Sequence, residues 1–176
     1  MIGPELINGF YLSKPSEKDI KPFVKYLNGP LIMQNTLQIP HPYRKSDAID
    51  WFEYVAEQER LHSRIRYWVI RNPKGKCAGG IGFNADYKPN SHKDEIGYWL
   101  GAPFRGKGVM TSAVRVVSQI GMEAYGYARI EANVFAGNEA SVKVLERCGY
   151  EYEGICRKLY KKKDRYIDAL RYALVR

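Results

Sequence analysis

A short run of glycines and basic residues lies between a predicted strand, Glu95–Leu100, and a predicted helix, Thr111–Tyr125. The run is Arg105-Gly106-Lys107-Gly108-Val109-Met110. A glycine-bearing loop that enters a helix presents unpaired backbone N–H groups at the positive end of the helix dipole, and such a site binds phosphate. Gly106 and Gly108 remove side chains where an anion would approach the backbone. The loop is therefore predicted to bind a phosphate-bearing ligand.

Two common nucleotide-binding motifs fit this loop incompletely. The stretch from Gly101 to Gly108 matches the GxxxxGK spacing of a P-loop, but Gly108 stands where Ser or Thr would hold magnesium. No apolar strand ending in Asp follows to supply the second magnesium ligand. The dinucleotide-binding fingerprint also fails, because Thr111 occupies its third glycine position. The sequence therefore argues against an NTPase and against a dinucleotide-dependent enzyme.

The elements around the loop predict one α+β domain that spans residues 1–176. Apolar periodicity and turn residues predict strands at 9–14, 66–71, 76–83, 95–100, 129–135, 153–160 and 166–175, and helices at 16–27, 46–60, 111–125 and 138–148. Residues 30–45 contain three prolines and are predicted to form an irregular loop. Because no linker, repeat or low-complexity stretch interrupts this order, a single domain is expected.

The composition is that of a globular chain with a basic surface. The 176 residues are 45% hydrophobic and 27% charged, and the formal net charge is +9. This charge favours an anionic partner but does not choose between nucleic acid, a membrane surface and a phosphate-rich cofactor. The three cysteines and three histidines have no metal-binding spacing, so no metal site and a reduced cytoplasmic setting are expected. No signal peptide or membrane span is predicted.

Three segments resemble a known family when they are taken in order. Glu95–Gly101 followed by Arg105–Gly108 resembles motif A of the GNAT acetyltransferase superfamily, and Gly137–Tyr150 resembles its motif B. The ending, with Arg157 and Asp168–Leu174, is similar to that of ribosomal-protein N-terminal (alanine or serine) acetyltransferases. The resemblance implies a GNAT fold, a mixed and partly splayed sheet of about seven strands flanked by about four helices. It also implies acetyl-CoA, without a metal, in the opening between two central strands.

The resemblance assigns parts of acetyl-CoA to particular residues. The backbone N–H groups that would hold the pyrophosphate belong to Arg105, Gly106, Lys107, Gly108, Val109 and Met110. The backbone around Trp99 and Leu100 would pair with the pantetheine like a short extra strand, Asn138 would bond the pantetheine arm, and Ser141 would lie near the sulfur. Leu145 departs from the pattern, because many members carry there a tyrosine that protonates the leaving thiolate.

Attack on a thioester needs a neutral amine, which an α-amine with a pKa near 7.7–8.0 supplies more readily than a lysine with a pKa near 10.4. We expect Glu95 to act as the catalytic base, ahead of Asp94 and Glu53, and Ser141 to replace the missing tyrosine. In the ribosomal-protein branch the base is a carboxylate near the position of Tyr160, so the base assignment stays open. A tyrosine introduced at Leu145 is predicted to be tolerated or mildly activating.

Two further side-chain roles are open at the level of sequence. The aromatic side chains of Tyr98 and Trp99 are predicted to pack in the core rather than to stack on a cofactor. Asn138 comes directly before a predicted helix, so it is also a candidate N-cap. The basic cluster from Arg157 to Arg165 is interpreted as solvated strand ends and a turn.

The function predicted from sequence is an acetyl-CoA-dependent N-acetyltransferase that acts on an amine, with a protein N-terminus as one candidate acceptor. A small amine of the polyamine or antibiotic type is an alternative. A third reading is a basic RNA- or ribosome-associated module that keeps the fold without catalysis. Residues 28–45 and the final hairpin are expected to select the acceptor. A homodimer and nucleic-acid contact through the ribosome are left open, and no membrane partner is expected.

Overall fold

The centre of the computed structural model, which describes residues 3–84 and 91–176, is a seven-stranded sheet. The strands are β1 (Tyr11–Ser13), β2 (Tyr67–Arg71), β3 (Cys77–Phe83), β4 (Lys93–Leu100), β5 (Arg129–Phe135), β6 (Glu151–Lys162) and β7 (Arg165–Val175). Their order across the sheet is β1-β2-β3-β4-β5-β7-β6. Neighbouring strands are antiparallel except β4 and β5, which are parallel. The predicted mixed sheet and its strands are confirmed.

In the described parts of the chain five α-helices flank the sheet, against the predicted four. They are α1 (Ile20–Leu27), α2 (Pro30–Asn35), α3 (Lys45–His62), α4 (Val109–Gln119) and α5 (Glu139–Arg147), and α4 continues as one π-helical turn, Ile120–Ala124. The additional helix is α2, within the stretch predicted to be irregular. Pro30 suits the first turn of a helix, where its missing N–H is not needed, and Ile32 is buried. No helix of the described ranges is long and apolar enough to cross a membrane.

The two central strands pair over a short seam. Three residue pairs join β4 to β5, and the last of them is Glu95 with Glu131. Both strands continue beyond this pair, β4 to Leu100 and β5 to Phe135, while their outer edges stay paired with β3 and β7. The ladder between β4 and β5 recorded among residues 91–176 ends at Glu95, so the strands leave an opening between them. The predicted splayed sheet is confirmed.

Apolar side chains pack on both faces of the sheet. The larger cluster, under α4 and α5, includes Leu12, Ile70, Phe83, Val114, Val117, Ile130 and Leu145. The smaller cluster, under α1 and α3, includes Phe23, Leu27, Ala48, Val69 and Cys77. Tyr98 packs against the larger cluster and Trp99 against the smaller one, where its ring centroid lies 4.9 Å from that of Phe23. The prediction that these two aromatic side chains pack in the core is confirmed.

Candidate active site

The predicted phosphate loop joins β4 to α4, and its two glycines have left-handed backbone conformations. The φ angle is 72° at Gly106 and 73° at Gly108, values that favour glycine because it has no Cβ. Gly108 is the N-cap of α4, so the N–H groups of Val109 and Met110 begin the helix without an acceptor inside it. A Cβ placed on Gly106 would meet no described atom within 4 Å, so the space beside the loop is open.

The two basic side chains of the loop bond to carbonyl groups next to it. The Nε of Arg105 donates to the carbonyl of Leu100 at 2.9 Å, and the Nζ of Lys107 donates to the carbonyl of Pro103 at 3.0 Å. Both side chains therefore brace the loop and keep their positive charge beside it. The backbone N–H groups at the start of α4 stay free to meet an anion, which the helix dipole also favours.

The edge of β4 that faces the opening is defined by strand alternation. The N–H of Gly101 and the carbonyl of Glu95 both bond to β3 or its ends. Since alternate residues of a strand turn their backbone groups to opposite sides, the odd-numbered residues of β4, Trp99 among them, face β3. Tyr98 and Leu100 therefore present their backbone groups to the opening. Of the two residues predicted to pair with pantetheine, Leu100 lies on the open edge, and Tyr98 takes the place expected of Trp99.

Glu95 lies at the end of the seam, within a polar cluster that crosses three strands. Its Oε2 accepts a hydrogen bond from Nδ2 of Asn133 at 2.9 Å, and Oδ1 of Asn133 accepts one from Nε of Arg171 at 3.3 Å. Burial raises the pKa of Glu95 above its ordinary value, and the hydrogen bond from Asn133 opposes that rise. A carboxylate whose pKa is raised by burial at the edge of an opening is suited to accept a proton.

The other two carboxylates considered as bases have different positions. Asp94 is buried, forms an ion pair with Arg66 at 3.0 Å and accepts a hydrogen bond from the hydroxyl of Tyr127 at 2.9 Å. Its Oδ1 also accepts the N–H of Glu95 at 2.8 Å, so it braces the strand that carries the candidate base. Glu53 is exposed on α3. Glu95 is thus the candidate that combines burial with a place at the opening.

Tyr160 lies where the resemblance expects a carboxylate base. Its ring packs on Phe135, the last residue of β5, with 5.3 Å between centroids. Burial, with a further contribution from the negative charge of Glu95, raises the pKa of Tyr160 to about 12. Its hydroxyl therefore stays protonated at neutral pH, so Tyr160 cannot replace the missing carboxylate as a base.

The first turn of α5 contains the two predicted motif B residues. Oδ1 of Asn138 accepts a hydrogen bond from the N–H of Ser141 at 3.3 Å, which confirms the N-cap interpretation. The capping bond uses the amide oxygen, and the amide nitrogen remains a donor for a ligand. Ser141 is half-buried, and its carbonyl accepts a hydrogen bond from the hydroxyl of Tyr98 at 3.4 Å. This contact brings the start of α5 against β4.

Leu145, one helical turn after Ser141, is fully buried in the larger apolar cluster. This burial changes the expectation that a tyrosine would be tolerated there. A phenol at this position would overfill a close-packed core and bury a hydroxyl.

Sequence reasoning missed three residues of the site: Tyr98 as a backbone donor and helix contact, and Asn133 and Arg171 as neighbours of Glu95. Their contacts join strands that are distant in sequence, so no local pattern shows which of these residues meet. One signal was available for Asn133. Polar residues alternate along β5 at Arg129, Glu131 and Asn133, which indicates a polar face on an otherwise apolar strand.

The two segments expected to select the acceptor meet in the structure. Nζ of Lys162, on β6, donates to the carbonyl of Met33 and to the carbonyl of Thr36, the latter at 2.7 Å. The end of α2 is thereby tied to the final hairpin. Among residues 3–84 and 91–176, no three His, Cys, Asp or Glu side chains are grouped to hold a metal ion.

Comparison with known proteins agrees with this geometry. The sequence profile of the acetyltransferase (GNAT) domain matches residues 10–151. The L-amino acid N-acetyltransferase AaaT of Escherichia coli (strain K12) is 27% identical over 148 residues, which cover 84% of this chain and 86% of that protein.

Solved structures of other proteins share the fold. The ribosomal-protein-S5-alanine acetyltransferase of Vibrio fischeri superposes with a TM-score of 0.81 at 21% identity, over 96% of this chain and 94% of that one. The microcin C7 self-immunity acetyltransferase MccE, solved in complex with acetyl-CoA and AMP, gives a TM-score of 0.83 at 23% identity, over 96% and 93%. With the glycine loop, the splayed sheet and the capped α5 in the order of that fold, the chain belongs to the GNAT family and is an N-acetyltransferase.

Proposed function

We propose that this N-acetyltransferase takes its acetyl group from acetyl-CoA and transfers it to the α-amine of a protein N-terminus. The observation that carries the proposal is the partly buried carboxylate of Glu95 at the end of the opening between β4 and β5. The names of the relatives support an α-amine. An L-amino acid has one by definition, and the side chain of a ribosomal-protein alanine offers no amine of its own.

The residues around the opening fit the chemical parts of acetyl-CoA, which supplies an acetyl thioester whose C–S bond breaks as the C–N bond to the amine forms. The backbone N–H groups of Gly106–Met110 would hold the pyrophosphate, because left-handed glycines and the start of α4 leave donors and space there. The N–H of Arg105, also expected to bind the pyrophosphate, instead donates to the carbonyl of Ala102 at 3.3 Å. The open backbone edge of Tyr98 and Leu100 would pair with the pantetheine. The amide nitrogen of Asn138 would donate to the same arm.

Two side chains and one backbone N–H of the site would then accept the proton of the amine and stabilise the charges that develop. Glu95 accepts the proton that the amine loses as it attacks, and its raised pKa makes it a stronger proton acceptor than an exposed glutamate. The backbone N–H of Tyr98, turned to the opening, donates to the oxyanion that develops on the carbonyl oxygen. The hydroxyl of Ser141 donates to the leaving sulfur, in the place of the tyrosine that Leu145 replaces.

The charge state of the acceptor makes an α-amine the easier substrate. With a pKa near 7.8, roughly a third of an α-amine is neutral at pH 7.5, compared with about a thousandth of a lysine side chain. A single partly buried carboxylate is therefore a sufficient base for an α-amine. A lysine side chain would need a much stronger means of losing its proton.

The test uses a short peptide with a free N-terminus and one internal lysine, and a copy whose N-terminus is blocked. Mass spectrometry should place the acetyl group on the α-amine of the first peptide and none on the second. Glu95→Gln should lower kcat/KM by about a hundredfold or more, the usual contribution of a positioned base, with unchanged affinity for acetyl-CoA. Glu123→Gln, on the turn after α4, is the matched control and should behave like the wild type.

A different pattern would contradict the proposal. Acetylation of the internal lysine in both peptides would point to a lysine acetyltransferase. Acetylation of free amino acids or polyamines without any peptide product would point to a small-molecule enzyme. An unchanged kcat/KM in Glu95→Gln would leave the site without its proposed base.

A further inference from the structure

The final hairpin extends beyond the strand that supports it. The ladder between β5 and β7 ends at Phe135 opposite Ala169, whereas β6 and β7 continue to pair as far as Lys162 opposite Arg165. Residues 157–168 therefore form an overhanging segment, here called the basic hairpin. It contains six basic and two acidic residues, a net charge of +4.

The charge of the basic hairpin is available to a partner. Its exposed basic side chains are Arg157, Lys158, Lys161, Lys163 and Arg165. None of them forms an ion pair within the described ranges of the chain. The carboxylate of Asp168, which lies in the same hairpin, bonds to the backbone, because its Oδ1 accepts a hydrogen bond from the N–H of Lys158 at 2.7 Å. Nearer the seam, by contrast, a basic side chain is already neutralised within the chain, because Arg129 forms ion pairs with both Glu131 and Glu153.

The basic hairpin borders the approach to Glu95. Tyr160, in the middle of the hairpin, packs on Phe135 next to the opening, and Lys162 ties the hairpin to the end of α2. The segment around α2 adds apolar surface to this wall, because Leu31, Met33 and Leu37 are between 36% and 51% exposed. An acceptor that reaches Glu95 from this side therefore meets an apolar segment and a row of cations.

We propose that the acceptor is the N-terminal segment of an acidic polypeptide, whose carboxylates bind the basic hairpin while its α-amine reaches Glu95. The proposal rests on the function proposed above and names the class of its substrate. The exposed cations from Arg157 to Lys163 follow a strand that is bulged between Cys156 and Tyr160 and ends in a turn, so they cover less than the about 20 Å of a regular strand of that length. A peptide can place several carboxylates along this row, whereas the row would repel a cationic polyamine. The exposed Leu and Met side chains match the apolar groups of a peptide better than a nucleic acid backbone.

The test compares two peptides of equal length with the same first residue. One has Asp and Glu at the following positions, and the other has Asn and Gln there. The wild type should acetylate the acidic peptide with a kcat/KM about tenfold or more above that of the neutral peptide, mainly through KM. High salt should remove most of this difference, since the screening length falls from about 10 Å to a few ångströms.

Two charge-reversed variants with the same change in net charge locate the effect. Lys161→Glu/Arg165→Glu changes the basic hairpin at exposed positions with ordinary backbone angles. Lys18→Glu/Lys21→Glu is the control, in a second basic patch that lines a groove of about 720 Å³ beside α1. The hairpin variant should lose the preference for the acidic peptide and keep its rate on the neutral one. The control should keep both, and melting curves should show that both variants fold.

The remaining outcomes are decisive in different ways. Equal kcat/KM values for the acidic and neutral peptides, or an equal loss in both variants, would overturn the proposal while leaving an N-terminal acetyltransferase intact. Inhibition of the wild type but not of the hairpin variant by a short RNA, without any effect of peptide charge, would make the hairpin an RNA contact instead. Acetyl-CoA binding without acetylation of any peptide would overturn the proposed function itself, and the acidic acceptor with it.

Discussion

Asn133 connects the candidate base to the strand across the opening. It donates to Glu95 and accepts from Arg171, so a single amide fixes the orientation of the carboxylate. Burial raises the pKa of Glu95, and the hydrogen bond from Asn133 and the charge of Arg171 lower it. The pKa of the base is therefore set by a balance that one substitution can shift.

Asn133→Ala should move the acidic limb of the pH profile of kcat/KM to higher pH. The base works in its ionised form, so the rate rises as the pH passes its pKa. Loss of a hydrogen bond to the ionised form raises that pKa. Steady-state kinetics across the acidic and neutral range would measure the shift. In a Glu95→Gln background the same substitution should leave the profile unchanged. A shift that persists there would assign the limb to another group.

Leu145→Tyr should destabilise the protein, because Leu145 is fully buried among apolar side chains. Overpacking of this kind costs about 1–3 kcal/mol, and a buried hydroxyl without a partner adds to it. Urea unfolding would measure the loss of free energy of unfolding, and Leu145→Met, which nearly conserves volume, should lose less. Wild-type stability together with a higher kcat would mean that the phenol turns into the opening and supplies the acid that the family resemblance implies at this position.

The loop between β4 and α4 depends on two properties of its glycines, a left-handed backbone and open space. Gly108→Asp should abolish acetyl-CoA binding, since a carboxylate would lie where phosphate oxygens approach and would repel them. Gly126→Asp is the matched control, because Gly126 has the same φ of 73° and is also exposed and open. Both variants carry the same backbone strain, so calorimetry should show loss of binding in the first alone. Equal affinities would place the pyrophosphate elsewhere.

Elements set by local rules were predictable, and contacts between distant strands were not. Gly106 and Gly108 were identified from their spacing because the need for left-handed backbone is local. The helix at Pro30 was missed because three prolines in the stretch favoured a loop. In the structure, burial of Ile32 in the core stabilises a helix there. Glu95 was expected at the site, but its partner Asn133 depends on the register of β4 against β5, which the sequence does not encode locally.

At the scale of the whole molecule, the donor would bind the native state and not the unfolded chain. Acetyl-CoA at about a hundred times its Kd should stabilise the protein by about 2.7 kcal/mol, or about 5–10 °C in Tm for a chain of this size. ATP with magnesium should give a smaller shift, and Gly108→Asp should abolish the response to acetyl-CoA. A Tm that rises with ATP and magnesium but not with acetyl-CoA would mean that the loop binds a nucleotide as a P-loop does.

The three-pair seam between β4 and β5 divides the sheet into two antiparallel halves, one of four strands and one of three. A pantetheine paired with the open edge of β4 would act as a temporary strand between them. The ligand would then complete the sheet between β4 and β5 for the duration of one reaction. When CoA leaves, this added strand leaves with it, so the opening beyond Glu95 would empty at the end of each turnover and fill again with the next acetyl-CoA, while the three-pair seam holds the two halves together.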